Sequence, residues 1–115
     1  MEVRTITKKS TYTLIEILSE RLDIQIATSL KSDFVQLVGN REKNLVLDLS
    51  KCVYCDSSGL SAILVANRLC KNAGGCFVVC GLQEPVGRLI SISQLDSVLN
   101  IQSTKEKAEE FLQNN

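Results

Sequence analysis

The sequence predicts an α/β fold: one domain over residues 1–115, element order ββαβαβαβα, with a mostly parallel mixed sheet and an antiparallel N-terminal hairpin. Three observations carry that expectation. Short β-branched and aliphatic runs recur between segments of helical period, the pattern of strands joined by helical crossovers. The runs NLVLDL at 44–49 and CFVVC at 76–80 lack polar alternation, as parallel strands buried on both faces do. The first two runs are separated only by a polar turn, which favours an antiparallel pair.

Val3 to Thr7 reads as the first strand, with Val3, Thr5, Ile6 and Thr7 all β-branched. Lys8 to Thr11 is the turn, and Tyr12 to Leu18 the second strand with Glu16 as its one charge. From Ile24 the period changes. Ala27, Leu30, Phe34 and Leu37 recur at helical spacing, in a helix begun near Asp23 and stopped near Gly39-Asn40. The buried strand Asn44–Leu49 follows. A second helix, Ser57 to Ala73, carries Leu60, Ala62, Ile63, Leu64, Val65, Ala66 and Leu69 around most of its circumference, so it must be packed on more than one side. Gly74-Gly75 ends it, since a C-terminal cap favours a residue free to take positive φ. After Cys76–Cys80, Pro85 opens a short helix with Val86, Leu89 and Ile90 inward. Val98–Ile101 is a last strand. Ser103 to Glu106 matches a capping box, and Ala108, Phe111 and Leu112 form the apolar face of the final helix.

Composition removes several kinds of chemistry. The chain has no His, which excludes His-based triads and His general bases and argues against most catalytic zinc sites. Thirteen basic and thirteen acidic residues balance with no basic block, and there is no Trp, so neither a nucleic-acid surface nor a base-stacking platform is expected. No apolar stretch approaches the roughly 18 residues that span a bilayer. Met1 to Arg4 lacks the apolar run of an export signal, so a cytoplasmic location with five reduced thiols is expected.

The segment Asp56-Ser57-Ser58-Gly59-Leu60 joins a strand to a helix. Asp56 is a natural N-cap, since its carboxylate can accept from free amides of the first turn. Ser57 and Ser58 fall in that turn, and Gly59 removes a side chain beside them. Helix N-termini attract anions, so a phosphate on Ser57 would be held there and would add roughly −1.5 to −2 charge. The same residues also make a good helix start and nothing more.

Residues 44 to 101 resemble the STAS domain family, and specifically the bacterial anti-sigma factor antagonists. The likeness is carried by Leu45-Val46-Leu47-Asp48-Leu49, the core Asp56-Ser57-Ser58-Gly59-Leu60, the Gly74-Gly75 turn, Val78-Val79-Cys80, and Pro85-Val86 with Arg88-Leu89-Ile90. A looser match extends upstream through Leu22-Asp23. The resemblance implies a regulatory protein without catalytic residues, cofactor or metal. It implies binding to an anti-sigma factor that is also a serine kinase, phosphorylation of Ser57 by that kinase, and reversal by a protein phosphatase. Asp23, Asp56, Ser57, Ser58 and Gly59 are its implied partner-binding residues. The family usually carries glycine where this chain has Glu20 and Ser61. Glu20 adds negative charge beside Ser57, and losing two glycines should stiffen the loop. Oligomeric state is not legible in the sequence. Within the same family the rival is a scaffold or a lipid-transport accessory subunit, using this surface without phosphorylation.

Cys52-Val53-Tyr54-Cys55 raises a different class, a thiol oxidoreductase. Against it, both thiols precede the helix cap, and the one proline, Pro85, opens a helix rather than facing a dithiol. Buried structural thiols are the simpler expectation. Cys70, Cys76 and Cys80 form no second CxxC that would complete a zinc site.

Overall fold

The structure is a computed structural model that describes residues 3–114; the expected domain bounds run past it, to Met1, Glu2 and Asn115. Five strands form the main sheet in the order β1-β2-β4-β6-β7: β1 Arg4–Lys8, β2 Thr13–Ile17, β4 Asn44–Asp48, β6 Cys76–Cys80 and β7 Asn100–Gln102. β1 pairs with β2 antiparallel, and every other pairing in this sheet is parallel. The described residues also form four α-helices: α1 Ile24–Gly39, α2 Ser57–Asn72, α3 Glu84–Ile92 and α4 Lys105–Gln113. The expected α/β architecture is observed.

Strand alternation divides the core in two. Ile15, Ile17, Leu45, Leu47, Phe77 and Val79 face α1, α2 and α3. The intervening Leu14, Val46, Val78 and Cys80, with Tyr12, face Ala108, Phe111 and Leu112 of α4. This period of two explains how continuous apolar runs serve two layers at once. Phe34 of α1 meets Phe77 edge-on, ring centroids 6.1 Å apart, and so ties helix to sheet. On the other face the Tyr12 hydroxyl donates to Glu109 of α4 at 2.7 Å. Burial, then that carboxylate, push the Tyr12 phenol up to about 12. Lys105 bonds Glu16 at 3.0 Å, fastening the start of α4 to β2 and holding the Glu16 carboxyl below its usual range. Arg4 pairs with Asp33, joining the edge strand to α1.

Several boundaries depart from the sequence reading. The first long helix does stop at Gly39 with Asn40 as its cap, as expected, and the left-handed residue that follows is Arg41 (φ 72°). At the end of α2, Gly74 takes φ 79°, and a Cβ on Gly75 would stand 2.1 Å from the Lys43 carbonyl oxygen, so both glycines are needed there. The expected strand Val98–Ile101 begins only at Asn100, because Leu95–Ser97 forms a 3-10 turn capped by Val98. Pro85 is the second residue of α3, after Glu84. The capping box is not formed: Thr104, one residue later than Ser103, caps α4 by accepting from the Lys107 amide at 3.1 Å.

Candidate docking site at two joined helix starts

Two strands of two residues were invisible to period analysis. β3, Arg21–Leu22, and β5, Tyr54–Cys55, pair in parallel as a second sheet, with Arg21 opposite Tyr54 and Leu22 opposite Cys55. The Glu20 carbonyl accepts from the Val53 and Tyr54 amides at 2.8 and 3.1 Å and extends the bridge by one residue. Each strand runs directly into a capping aspartate and a helix. Asp23 (φ −105°, ψ −173°) caps α1, and Asp56 (φ −102°, ψ −174°) caps α2 in almost the same conformation. The Asp56 amide donates to Leu22 O at 3.4 Å, so the register continues into the caps. The two helix N-termini are thereby set side by side.

Side-chain alternation sorts this segment. Leu22 and Cys55 point into the core, whereas Arg21, Asp23, Tyr54 and Asp56 lie on the outer face with partial or full exposure. The Asp23 carboxylate accepts from the Gln25 and Ile26 amides at 3.2 and 3.4 Å. Asp56 accepts from the Gly59 amide at 3.0 Å. A cap of this kind contributes about 1 kcal/mol. It leaves the Ser57 and Ser58 amides, the first of the turn, directed outward. Ser57 is exposed and Ser58 half-buried. Among the described residues no group hydrogen-bonds the Ser57 hydroxyl, and no acidic side chain occupies the first turn of α2. Exposed Ile24 (63%), Val53 (40%) and Tyr54 (40%) border the serine-bearing turn with apolar surface.

Of the site residues expected from sequence, Asp23, Asp56, Ser57 and Ser58 are brought to one edge. Gly59 is buried beneath it. A Cβ there would stand 2.6 Å from Cys55 Sγ, 2.7 Å from Leu22 O and 2.9 Å from Leu22 Cγ. The glycine therefore lets α2 begin against the β3–β5 bridge. Gly59→Ala is expected to lower folding stability by about 1–3 kcal/mol, read as a lower urea midpoint; an unchanged midpoint would mean that the turn is not packed as described. Ser61 lies inside α2 rather than in a loop, and Glu20 lies in the bend before β3 without the positive φ that would call for glycine. Arg21, Ile24, Val53 and Tyr54 escaped the sequence reading. The signal was there as a repeated pattern, Arg21-Leu22-Asp23 and Tyr54-Cys55-Asp56: outward, inward, cap.

The CxxC thiols point away from this edge. Cys52 is fully buried and donates to the Tyr54 carbonyl at 3.0 Å; Cys55 is 7% exposed. Burial raises both thiols, and the neighbouring Cys52 and Asp56 charges help push Cys55 up to about 12. A redox dithiol needs the opposite shift and access to solvent.

Two capped helix starts, an open serine and an apolar fringe thus share one edge of a packed α/β sheet. The STAS domain family profile matches residues 4–108, and the chain belongs to that family. An anti-sigma F factor antagonist of Paenibacillus polymyxa is 31% identical over 83% of this chain and 82% of its own length. Among solved structures, an anti-sigma factor antagonist from Mycobacterium paratuberculosis superposes with a TM-score of 0.84 at 20% identity, covering 96% of this chain and 92% of that one. The Bacillus cell fate determinant SpoIIAA in its phosphorylated form gives 0.74 at 14% identity, covering 93% and 96%. No helix among the described residues is long and apolar enough to cross a membrane.

Proposed function

We propose that this protein is an anti-sigma factor antagonist of the cytoplasm, without catalytic activity, cofactor or metal of its own. It binds an anti-sigma factor that is also a serine kinase. That kinase phosphorylates Ser57, and a protein phosphatase restores the free form. Unphosphorylated protein sequesters the kinase and releases the sigma factor, so transcription is controlled with no direct contact to nucleic acid and no membrane insertion. The observation that carries this reading is the exposure of Ser57 on the first turn of α2, at the joined helix starts, in a chain 31% identical to an anti-sigma F factor antagonist.

The residues divide the work. Asp23 and Asp56 hold the two helix ends in place through their amides. Asp56 bonds the Gly59 amide, so it fixes the turn that carries the serine and leaves the hydroxyl free. Ser57 receives the phosphate, Ser58 borders it, and Gly59 lets the turn seat on the bridge. A phosphate at Ser57 meets outward amides and the positive end of the helix dipole. It changes the charge that a docking partner meets far more than it changes the fold.

Incubating the protein with ATP and each anti-sigma serine kinase of its source organism tests this. The expected result is one added phosphate by intact mass, mapped to Ser57, and release of the kinase on phosphorylation. Stable binding with no phosphate transfer would favour the scaffold reading, toward which the exposed Glu20 in the adjoining turn leans. No binding to any of these kinases would overturn the antagonist reading itself.

A further inference from the structure

Arg21 and Tyr54 face each other across the β3–β5 bridge, and the Arg21 guanidinium carbon lies 4.1 Å from the centre of the Tyr54 ring. Stacking on an aromatic face holds a guanidinium in one orientation and leaves its donors free at the edge. No carboxylate of the described residues pairs with Arg21. The charged residues adjoining it on the two capped segments are Glu20, Asp23 and Asp56, and the two aspartates each have an oxygen engaged on helix amides. Arg21 is thus an oriented cation with an unused fork, beside two capping aspartates and an apolar fringe.

We infer that Arg21, laid on Tyr54, is the specificity-determining residue of the docking edge, and that it accepts a carboxylate presented by the partner protein within an apolar patch. The inference rests on the docking role proposed above and adds the chemistry of the complementary surface. A planar fork matches a carboxylate in two parallel hydrogen bonds, which fixes register as well as attraction. Exposed Ile24 and Val53 then meet apolar groups around that pair and keep water from it. Like-charged surfaces are rejected at the same position, so the residue selects among related kinases.

The test measures dissociation constants for the kinase that phosphorylates Ser57 in the assay above. Arg21→Glu is expected to weaken binding by tenfold or more, on the order of a 1.4 kcal/mol loss, with a folding midpoint unchanged from wild type. Arg21→Lys should recover part of the affinity, and Tyr54→Phe nearly all of it, because the ring platform is kept. A compensating acid-to-Arg substitution on the kinase should restore binding to Arg21→Glu. If the kinase binds wild type and Arg21→Glu equally, the inference is overturned while the antagonist reading stands. Altered behaviour confined to Ser57-phosphorylated protein also overturns it, since Arg21 would then serve the phosphate. If no kinase binds wild type, both fall together.

Discussion

Ser57→Asp is expected to weaken kinase binding by about tenfold to a hundredfold, with no loss of folding stability. The first turn of α2 offers Ser57 in the open, at the centre of the edge formed by Asp23 and Asp56. A negative side chain there is favoured within the protein by the helix N-terminus, where it contributes about 0.3–1 kcal/mol. The fold should therefore tolerate it or gain slightly. The partner meets a reversed local charge instead, and truncated or mismatched charge pairs at interfaces cost about 2–5 kcal/mol when buried and less at a rim. An aspartate carries one charge and two oxygens where a phosphate carries nearly two charges and three. The substitution should accordingly fall short of phosphorylation itself. Ser57→Ala should bind as wild type does and take no phosphate, because the serine hydroxyl bonds nothing within the described residues. Isothermal titration with the kinase, beside urea unfolding of each variant, gives both quantities. Equal affinity for wild type and Ser57→Asp would remove charge from the switch.

The second large effect is alkaline unfolding. Burial pushes Cys55, Cys70 and Cys80 up from 9.0 to about 12, assisted respectively by the charges of Cys52, Cys76 and Asp48. Cys52 and Cys76 rise in the same direction and mainly by burial. These are acids whose neutral form the fold prefers. Their contribution is complete below pH 9.0, where thiols are protonated in both states, and is lost as pH climbs toward about 12. Over that window the unfolded chain sheds protons that the folded chain retains. One pH unit above the unfolded value costs about 1.4 kcal/mol per thiol, so three such thiols together cost about 4 kcal/mol at pH 10. Against a typical total of about 5–15 kcal/mol, that loss is visible. Tyr12 adds to it only above pH 10.0, its ordinary value. Urea midpoints measured under reducing conditions at pH 8 and pH 10 give the effect directly. Thiol labelling at pH 8 supplies a companion result: Cys52 and Cys55 should react slowly in the native protein and promptly once it unfolds. Fast labelling of either one, or stability unchanged between the two pH values, would return the CxxC to consideration as a redox pair.

The first prediction, and the part of the second that concerns Cys55, depend on how β3 and β5 organise the neighbourhood of Asp56. Two residues per strand are too few to show a period, and neither Arg21-Leu22 nor Tyr54-Cys55 has the apolar run of a buried strand. Their pairing is made by backbone hydrogen bonds between segments 33 residues apart in the chain, as between Glu20 O and the Val53 amide. Local sequence carries no trace of such a partner. The same holds for Gly59, which looks like a gap left beside two serines and is in fact the point where α2 touches Leu22 and Cys55. At Ser103 the capping-box pattern was present, yet Thr104 is the cap and the helix begins at Lys105, where Lys105 reaches Glu16 and Tyr12 reaches Glu109.

What the sequence determined alone is the α/β class, the capped start of each long helix, and the serine that stands first in α2. Those follow from short-range physics: the period of apolar residues, the preference of Asp for caps, and the need for glycine after a helix. Tertiary structure decided that Asp23 and Asp56 belong to one edge, that Arg21 lies over Tyr54, and that the CxxC faces inward. These are properties of pairing and burial between distant segments, which no residue specifies without its partner.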